Sequence, residues 1–217
     1  MSYEAWLALP EEIHTSGFVE WVHDEAIFHQ RPNINHQAIV GSLSILLALF
    51  VDFYELGRIF ISPIEVKLPN GSAREPDIFF VSNAHLDRIT AQRVEGAPDL
   101  IVEIISPESA GRDRDEKFDE YQDAGVREYW LVDPRPRRQQ VLFYQLGPDG
   151  LFKLTSLDHG VYRSAVLPNL WLNPDWLWQL PNAQLTFAEI IGPEALIDAL
   201  KQLQQRNQQN QQPATNN

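Results

Sequence analysis

Three short runs hold the side chains best able to do chemistry. They are Glu75-Pro76-Asp77 leading into Ile78-Phe79-Phe80-Val81, then Asp99 and Glu103 inside Pro98-Asp99-Leu100-Ile101-Val102-Glu103-Ile104-Ile105-Ser106-Pro107, then Asp113 and Lys117 in Asp113-Arg114-Asp115-Glu116-Lys117. A carboxylate projecting from a buried strand is costly unless it is paired or holds a cation. Carboxylate oxygens suit the hard cations Mg²⁺ and Mn²⁺. A lysine beside them can orient a water or stabilise charge on a phosphate. The chemistry these types allow together is metal-dependent phosphodiester hydrolysis.

Strand parity sharpens the argument. Residues two apart share a face, so Asp99, Ile101, Glu103 and Ile105 point one way while Leu100, Val102 and Ile104 point the other. Glu103 therefore sits among isoleucines in dry surroundings. From the residues alone, a metal ligand and a carboxylate satisfied by an arginine or a backbone N–H are equally good readings. After the connection at Ser109-Ala110-Gly111, Asp113, Lys117, Tyr121 and Gly125 recur every four positions and share one helical face. Phe118 and Tyr121 supply its contact with the sheet, and Gly125 is the expected C-terminal cap. A helix lysine of this kind is usually solvated and paired, here with Asp113; nearness to the Glu103 strand is what sets Lys117 apart.

The elements that must position these residues read as follows. Residues 1–16 form an arm, and 201–217 form a Gln/Asn-rich tail expected to be disordered. Between them, residues 17–200 form the folded domain. Phe18 to His29 reads as two short strands around His23-Asp24, with Glu20 read as exposed hairpin decoration in preference to a metal-site acid. Asn35 is the expected cap of a long helix through about Tyr54, with Ile39, Leu43, Leu46, Leu47 and Phe50 facing the core. Ile59 to Leu68 alternates as a strand broken by Pro63, and a loop from Ala84 to Gly96 is long enough to wall the site. Val126 to Asp133 reads as a strand. Val141 to Tyr144 and Leu151 to Leu154 form a hairpin, and Trp171, Trp176 and Trp178 an apolar lid or dimer contact in preference to a base-stacking surface.

The motifs Glu-Pro-Asp (75–77), Pro-Asp-Leu-Ile-Val-Glu-Ile-Ile-Ser-Pro (98–107), Asp113…Lys117…Tyr121 and Gly-Val-Arg-Glu-Tyr-Trp-Leu-Val-Asp-Pro (125–134) resemble the Uma-two family. That family lies in the restriction-endonuclease-like, or PD-(D/E)xK, superfamily, and the likeness spans about residues 15 to 145. The resemblance implies an α/β fold: an αβββαβ core whose central mixed sheet is flanked by helices, here with extra C-terminal strands. It implies a divalent-metal-dependent DNA endonuclease in which Asp77, Glu103 and the Ile104 backbone carbonyl hold Mg²⁺ or Mn²⁺. Lys117 is the catalytic lysine, with Glu20, Asp113 and Tyr121 as accessory residues. One departure stands out: the lysine expected two residues after Glu103 is Ile105, and the helix supplies Lys117 in its place. A long lysine stem makes that relocation physically reasonable.

Composition limits the rest. The chain of 217 residues has no cysteine, which excludes disulfides, thiolate metal sites and cysteine nucleophiles. His14, His23, His29 and His36 make no HxH or HxxxH pair, and there is no GxSxG, phosphate-loop or GxGxxG motif. No apolar run was expected to reach the roughly 20 residues that cross a bilayer, and the start lacks a secretory signal; the expected location is cytoplasmic. A net charge of -13, from 30 acidic and 17 basic residues, predicts weak DNA affinity. Arg135-Pro136-Arg137-Arg138 is the one local basic turn. Trp- and Pro-rich flanks point to a homodimer. Two other readings remain: a non-catalytic metal- or nucleic-acid-binding module that kept the fold, and a structural Glu103 paired with Arg112 or Arg114.

Overall fold

In the computed structural model, the described residues are 18–22, 25–29, 33–106 and 116–210, with side chains for 25, 33–106 and 116–206. The chain folds around a six-stranded sheet in the order β11-β10-β9-β8-β6-β3. Its strands are β3 (Gly57–Ile61), β6 (Ile78–Ser82), β8 (Leu100–Ile104), β9 (Glu128–Asp133), β10 (Gln140–Leu146) and β11 (Phe152–Leu154). Only β8 and β9 run parallel; the other neighbours are antiparallel, so the sheet is mixed. A parallel pair needs a crossover, and the segment holding helix α2 (Glu116–Asp123) provides it. With α1 (Ile34–Phe53) ahead of β3, the central order is α1, β3, β6, β8, α2, β9, the expected αβββαβ core.

Alternation along the strands splits the core in two. Ile78, Phe80, Leu100, Val102 and Ile104 join α1 and the C-terminal helices on one face. Phe79, Val81, Ile101, Ile105, Tyr129 and Leu131 join Tyr121 of α2 on the other. β3 begins at Gly57, where a Cβ would stand 2.2 Å from the Val81 carbonyl oxygen, so only glycine lets the two strands approach. Helix α2 ends as expected at Gly125, with φ +82°. Val126 N–H donates to the Tyr121 carbonyl and Gly125 N–H to that of Gln122, a Schellman closure.

Helix α1 differs from expectation in two respects. Its cap is Asn33 rather than Asn35: the Asn33 side chain accepts from the His36 N–H at 2.9 Å, the third helical position. It is also a 20-residue helix of mean hydropathy 1.7, long and apolar enough by length and composition to cross a membrane, contrary to the sequence reading. Eight of its residues, among them Ile39, Leu43, Leu47 and Phe50, are buried against the sheet and its neighbours, which explains the apolarity by core packing.

A smaller sheet in the order β2-β1-β5-β4-β7 flanks the core. It contains the expected leading hairpin, β1 (Phe18–Val22) with β2 (Glu25–His29). The predicted strand from Ile59 to Leu68 is interrupted around Pro63, as expected, and its two pieces lie in different sheets: β3 stops at Ile61, and β4 (Val66–Lys67) pairs with β5 (Ala73–Arg74) in this other sheet. The predicted loop from Ala84 to Gly96 folds as a 3-10 helix (Asn83–Arg88) and β7 (Val94–Glu95). It leaves β6 at the end away from Asp77 and therefore does not wall the predicted site. Beyond the hairpin β10–β11, strands β12 (Tyr162–Arg163) and β13 (Trp171–Leu172) pair with each other, and helices α3 (Trp176–Gln179), α4 (Ala183–Ile191) and α5 (Pro193–Asn210) follow. Trp171, Trp176 and Trp178 pack at the margin of the α1 core, Trp171 and Trp176 with ring centroids 5.0 Å apart. Helix α5 carries the Gln-rich segment to Asn210, where disorder was expected; glutamine is a good helix former. Residues 1–16 and 211–217 lie outside the described set.

Candidate active site

The β6–β8 register builds the site. Ile78 pairs with Val102, Phe79 with Ile101 and Phe80 with Leu100, so one further step brings Asp77 opposite Glu103. Directly opposed residues put their Cβ atoms about 5 Å apart on one face. Asp77 lies just outside β6 and Glu103 within β8, at the end where the chain leaves the sheet toward α2.

Both carboxylates are held by hydrogen bonds. Ile104 N–H donates to Asp77 Oδ2 at 2.7 Å, and His36 Nε2 lies 3.2 Å from the same atom. Because the next amide, Ile105 N–H, donates to the Val132 carbonyl in β9, the Ile104 carbonyl must face the opposite way, toward Asp77. Glu103 is 3% exposed. Its Oε1 receives the Lys117 ammonium at 3.0 Å and the Tyr121 hydroxyl at 2.7 Å. Lys117 and Tyr121 are both buried, so the helix lysine is no solvated surface cation. Among the described residues no group of three His, Asp or Glu side chains is assembled to hold a metal. The oxygen groups that the register places at this end of the sheet are two carboxylates and a carbonyl oxygen. Mg²⁺ is commonly held by one or two carboxylates with waters completing its shell, so this set fits a hard divalent cation.

Helix α2 owes its position to a second buried pair. Arg74 Nε donates to Glu120 Oε2 at 2.7 Å and Nη2 to Oε1 at 2.9 Å, a bidentate clamp between β5 and α2. Arg74 is fully buried, three residues before Asp77; Glu120 lies three after Lys117. Sequence reasoning missed this clamp because its partners are 46 positions apart. His36, noted in the sequence only for lacking a metal-ligand spacing, reaches Asp77 from the first turn of α1. His36 is 5% exposed, and its Nδ1 is buried without a hydrogen-bond partner, so the fitting tautomer carries its proton on Nε2 and donates to Asp77.

Asp99 shares the Glu103 face but lies at the other end of β8. It accepts from Ser82 N–H at 2.8 Å and contacts His85 Nδ1 at 3.0 Å, with Arg127 at 3.5 Å. Burial pushes its carboxyl up, but the Ser82 and His85 hydrogen bonds outweigh that and hold it below the ordinary value. Among the accessory residues, Tyr121 joins the site. Asp113, with Arg112 and Arg114, lies outside the described residues. Glu20 has a described backbone, in β1 opposite Ile27, but its side chain is outside the described set.

A mixed sheet flanked by helices, with opposed carboxylates at its end and a buried lysine above them, defines a nuclease-like fold. The crystal structure of "a putative nuclease belonging to DUF820 from Anabaena variabilis ATCC 29413" is similar, with a TM-score of 0.67 and 21% identity over 82% of this chain and 98% of that one. Residues 3–175 match the Uma2 family, described as "Putative restriction endonuclease", and the chain belongs to that family. Comparison with curated proteins gave no match.

Proposed function

We propose that the chain is a divalent-metal-dependent DNA endonuclease of the PD-(D/E)xK type, hydrolysing phosphodiester bonds with Mg²⁺ or Mn²⁺. The observation that carries this reading is Lys117 Nζ, buried and 3.0 Å from Glu103 Oε1, with Asp77 on the register position facing Glu103. A lysine on the helix thus serves the carboxylate pair although the strand position is Ile105. In this reading Asp77, Glu103 and the Ile104 carbonyl would hold the cation, which would supply Lewis-acid charge stabilisation to the phosphate. His36 and the Ile104 N–H keep Asp77 oriented. Lys117 aligns the attacking water and donates to the phosphate oxygens as negative charge grows there. Tyr121 holds Glu103 Oε1 in place while the lysine shifts toward substrate. A homodimer would present one such centre to each strand of a duplex, and this reading carries it as the working unit.

A second reading is favoured by one observation, the closed Lys117–Glu103 pair: a module that binds metal or nucleic acid without turnover. Supercoiled plasmid incubated with Mg²⁺ or Mn²⁺ separates the two. Nicking by the wild type that disappears in both Glu103→Ala and Lys117→Ala supports the nuclease. Metal binding by calorimetry without any nicking supports the module.

A further inference from the structure

We propose that the turn between β9 and β10, through Arg137 and Arg138, is the element that seats the phosphate backbone of duplex DNA beside the carboxylate pair; this rests on the nuclease reading and extends it to the docking surface. The turn's position follows from the sheet. β8 and β9 are parallel and in register, Glu103 beside Leu131 and Ile104 beside Val132, so β9 ends at the same edge as the site. From strand spacing and rise, the Asp133 Cα lies about 8 Å from that of Glu103. The basic turn springs from there.

Its charge is unusual for this protein. The chain carries 30 acidic residues, yet none falls between Asp133 and Asp149. Asp133 itself is consumed: it is 1% exposed and takes both arms of Arg135, Nε at 2.8 Å and Nη2 at 2.7 Å. That pair fixes the base of the turn, which the Arg138 N–H bond to the Arg135 carbonyl closes at 3.0 Å. Most other described cations are matched to an acid, as in Arg74–Glu120, Arg93–Glu95, Lys153–Asp149 and Arg163–Asp158. Arg137 and Arg138 are exposed, and among the described residues neither guanidinium has an acidic partner. They line one open groove with Gln139 and Gln140, whose side-chain amides are also donors. Arg137 has φ +68°, the left-handed backbone of a tight turn.

Unpaired guanidinium and amide donors on an exposed turn, with no apolar floor, fit phosphodiester oxygens and not base edges. The occupant is therefore a nucleic-acid backbone, held without sequence readout. This also resolves the charge objection: a net charge of -13 repels DNA at long range, while a local acid-free turn provides the contact where the reaction occurs.

The test is the salt dependence of duplex binding, read by fluorescence anisotropy with Ca²⁺ present, for wild type, Arg137→Gln/Arg138→Gln, Arg137→Lys/Arg138→Lys and Lys153→Gln. Each phosphate contact contributes about 0.9 to the slope of log K against log salt, so the double glutamine variant should lose about 1.8. Between 50 and 200 mM salt the wild type should then lose roughly twelvefold more affinity than that variant. The double lysine variant should keep the slope, and so should Lys153→Gln, which lies toward the opposite end of the sheet. An unchanged slope in the double glutamine variant overturns the proposal, as does an equal loss in Lys153→Gln. Neither result touches the nuclease reading, which the plasmid assay decides on the same preparations. Wild type that neither binds duplex nor nicks plasmid removes both.

Discussion

Replacing Lys117 by methionine keeps the stem and removes the charge, and the consequence can be worked from burial. The Lys117 and Glu103 side chains are 6% and 4% exposed, so the pair is shielded from water. Removing one partner of such a pair strands the other charge and costs about 3–5 kcal/mol. For a chain of this size, each kcal/mol moves Tm by about 2–4 °C, so Lys117→Met should lower it by roughly 6–20 °C. A divalent cation can take over the role of the missing ammonium. Mn²⁺ should therefore raise Tm more in Lys117→Met than in wild type, by the mass-action stabilisation that follows tighter binding. The double variant Glu103→Gln/Lys117→Met removes both charges and should be more stable than Lys117→Met alone, but insensitive to Mn²⁺. Thermal unfolding with and without Mn²⁺ reads all of this. Two results would refute the reasoning: Lys117→Met within about 1 kcal/mol of wild type, or Mn²⁺ shifts that match in the two proteins. The first would mean that the pair is open to water, the second that lysine and metal do not share Glu103.

Three further outcomes are expected. His36→Ala should weaken Mn²⁺ affinity about 10–100-fold by calorimetry, the usual effect of losing a group that orients a metal ligand, with His36→Gln recovering part of it through its amide donor. Arg74→Ala should cost about 3–5 kcal/mol in denaturant unfolding because it leaves Glu120 charged and buried, and Arg74→Lys should recover only part, since a lysine cannot reproduce the two-armed contact. Asp99→Asn should flatten the loss of stability in acid. The folded-state value of Asp99 lies below its ordinary 3.8, so its stabilisation is complete above that pH and is lost as the pH falls through the depressed value; an unchanged acid limb would show that Asp99 contributes nothing.

The legible parts of the molecule were those set by short-range periodicity. The two-residue alternation in 99–105 assigned Glu103, Ile101 and Ile105 to one face, and the separate cores agree. The four-residue spacing from Lys117 to Gly125 gave α2 and its cap. Relations between distant segments were not legible. Nothing local to Arg74 shows that it meets Glu120, and His36 belongs to a helix whose apolar stripe is the dominant signal. The Ala84–Gly96 wall failed for a related reason: loop length does not tell which end of a strand the loop leaves. Residues 201–210 of the Gln-rich tail extend α5, because glutamine's polarity says nothing against a helix.

A lysine moved from strand to helix would change what the proposed active site depends on. At position 105 a lysine would be held by the sheet itself, as firmly as Glu103. That position is instead an isoleucine, 1% exposed, that packs in the same cluster as Tyr121 and Val126. The charge comes from α2, so its placement is only as good as the docking of an eight-residue helix, and so short a helix has little intrinsic stability. What pins it is tertiary: Tyr121 in the sheet core, the Gly125 closure, and the Arg74–Glu120 clamp that ties it to the strand just before Asp77. Arg74 thereby joins the two halves of the proposed site, serving the lysine through Glu120 and lying three residues before Asp77 in the chain. A nuclease built this way should lose turnover when the clamp is cut even though both metal carboxylates remain, which is why Arg74→Ala belongs beside Lys117→Met in the plasmid assay.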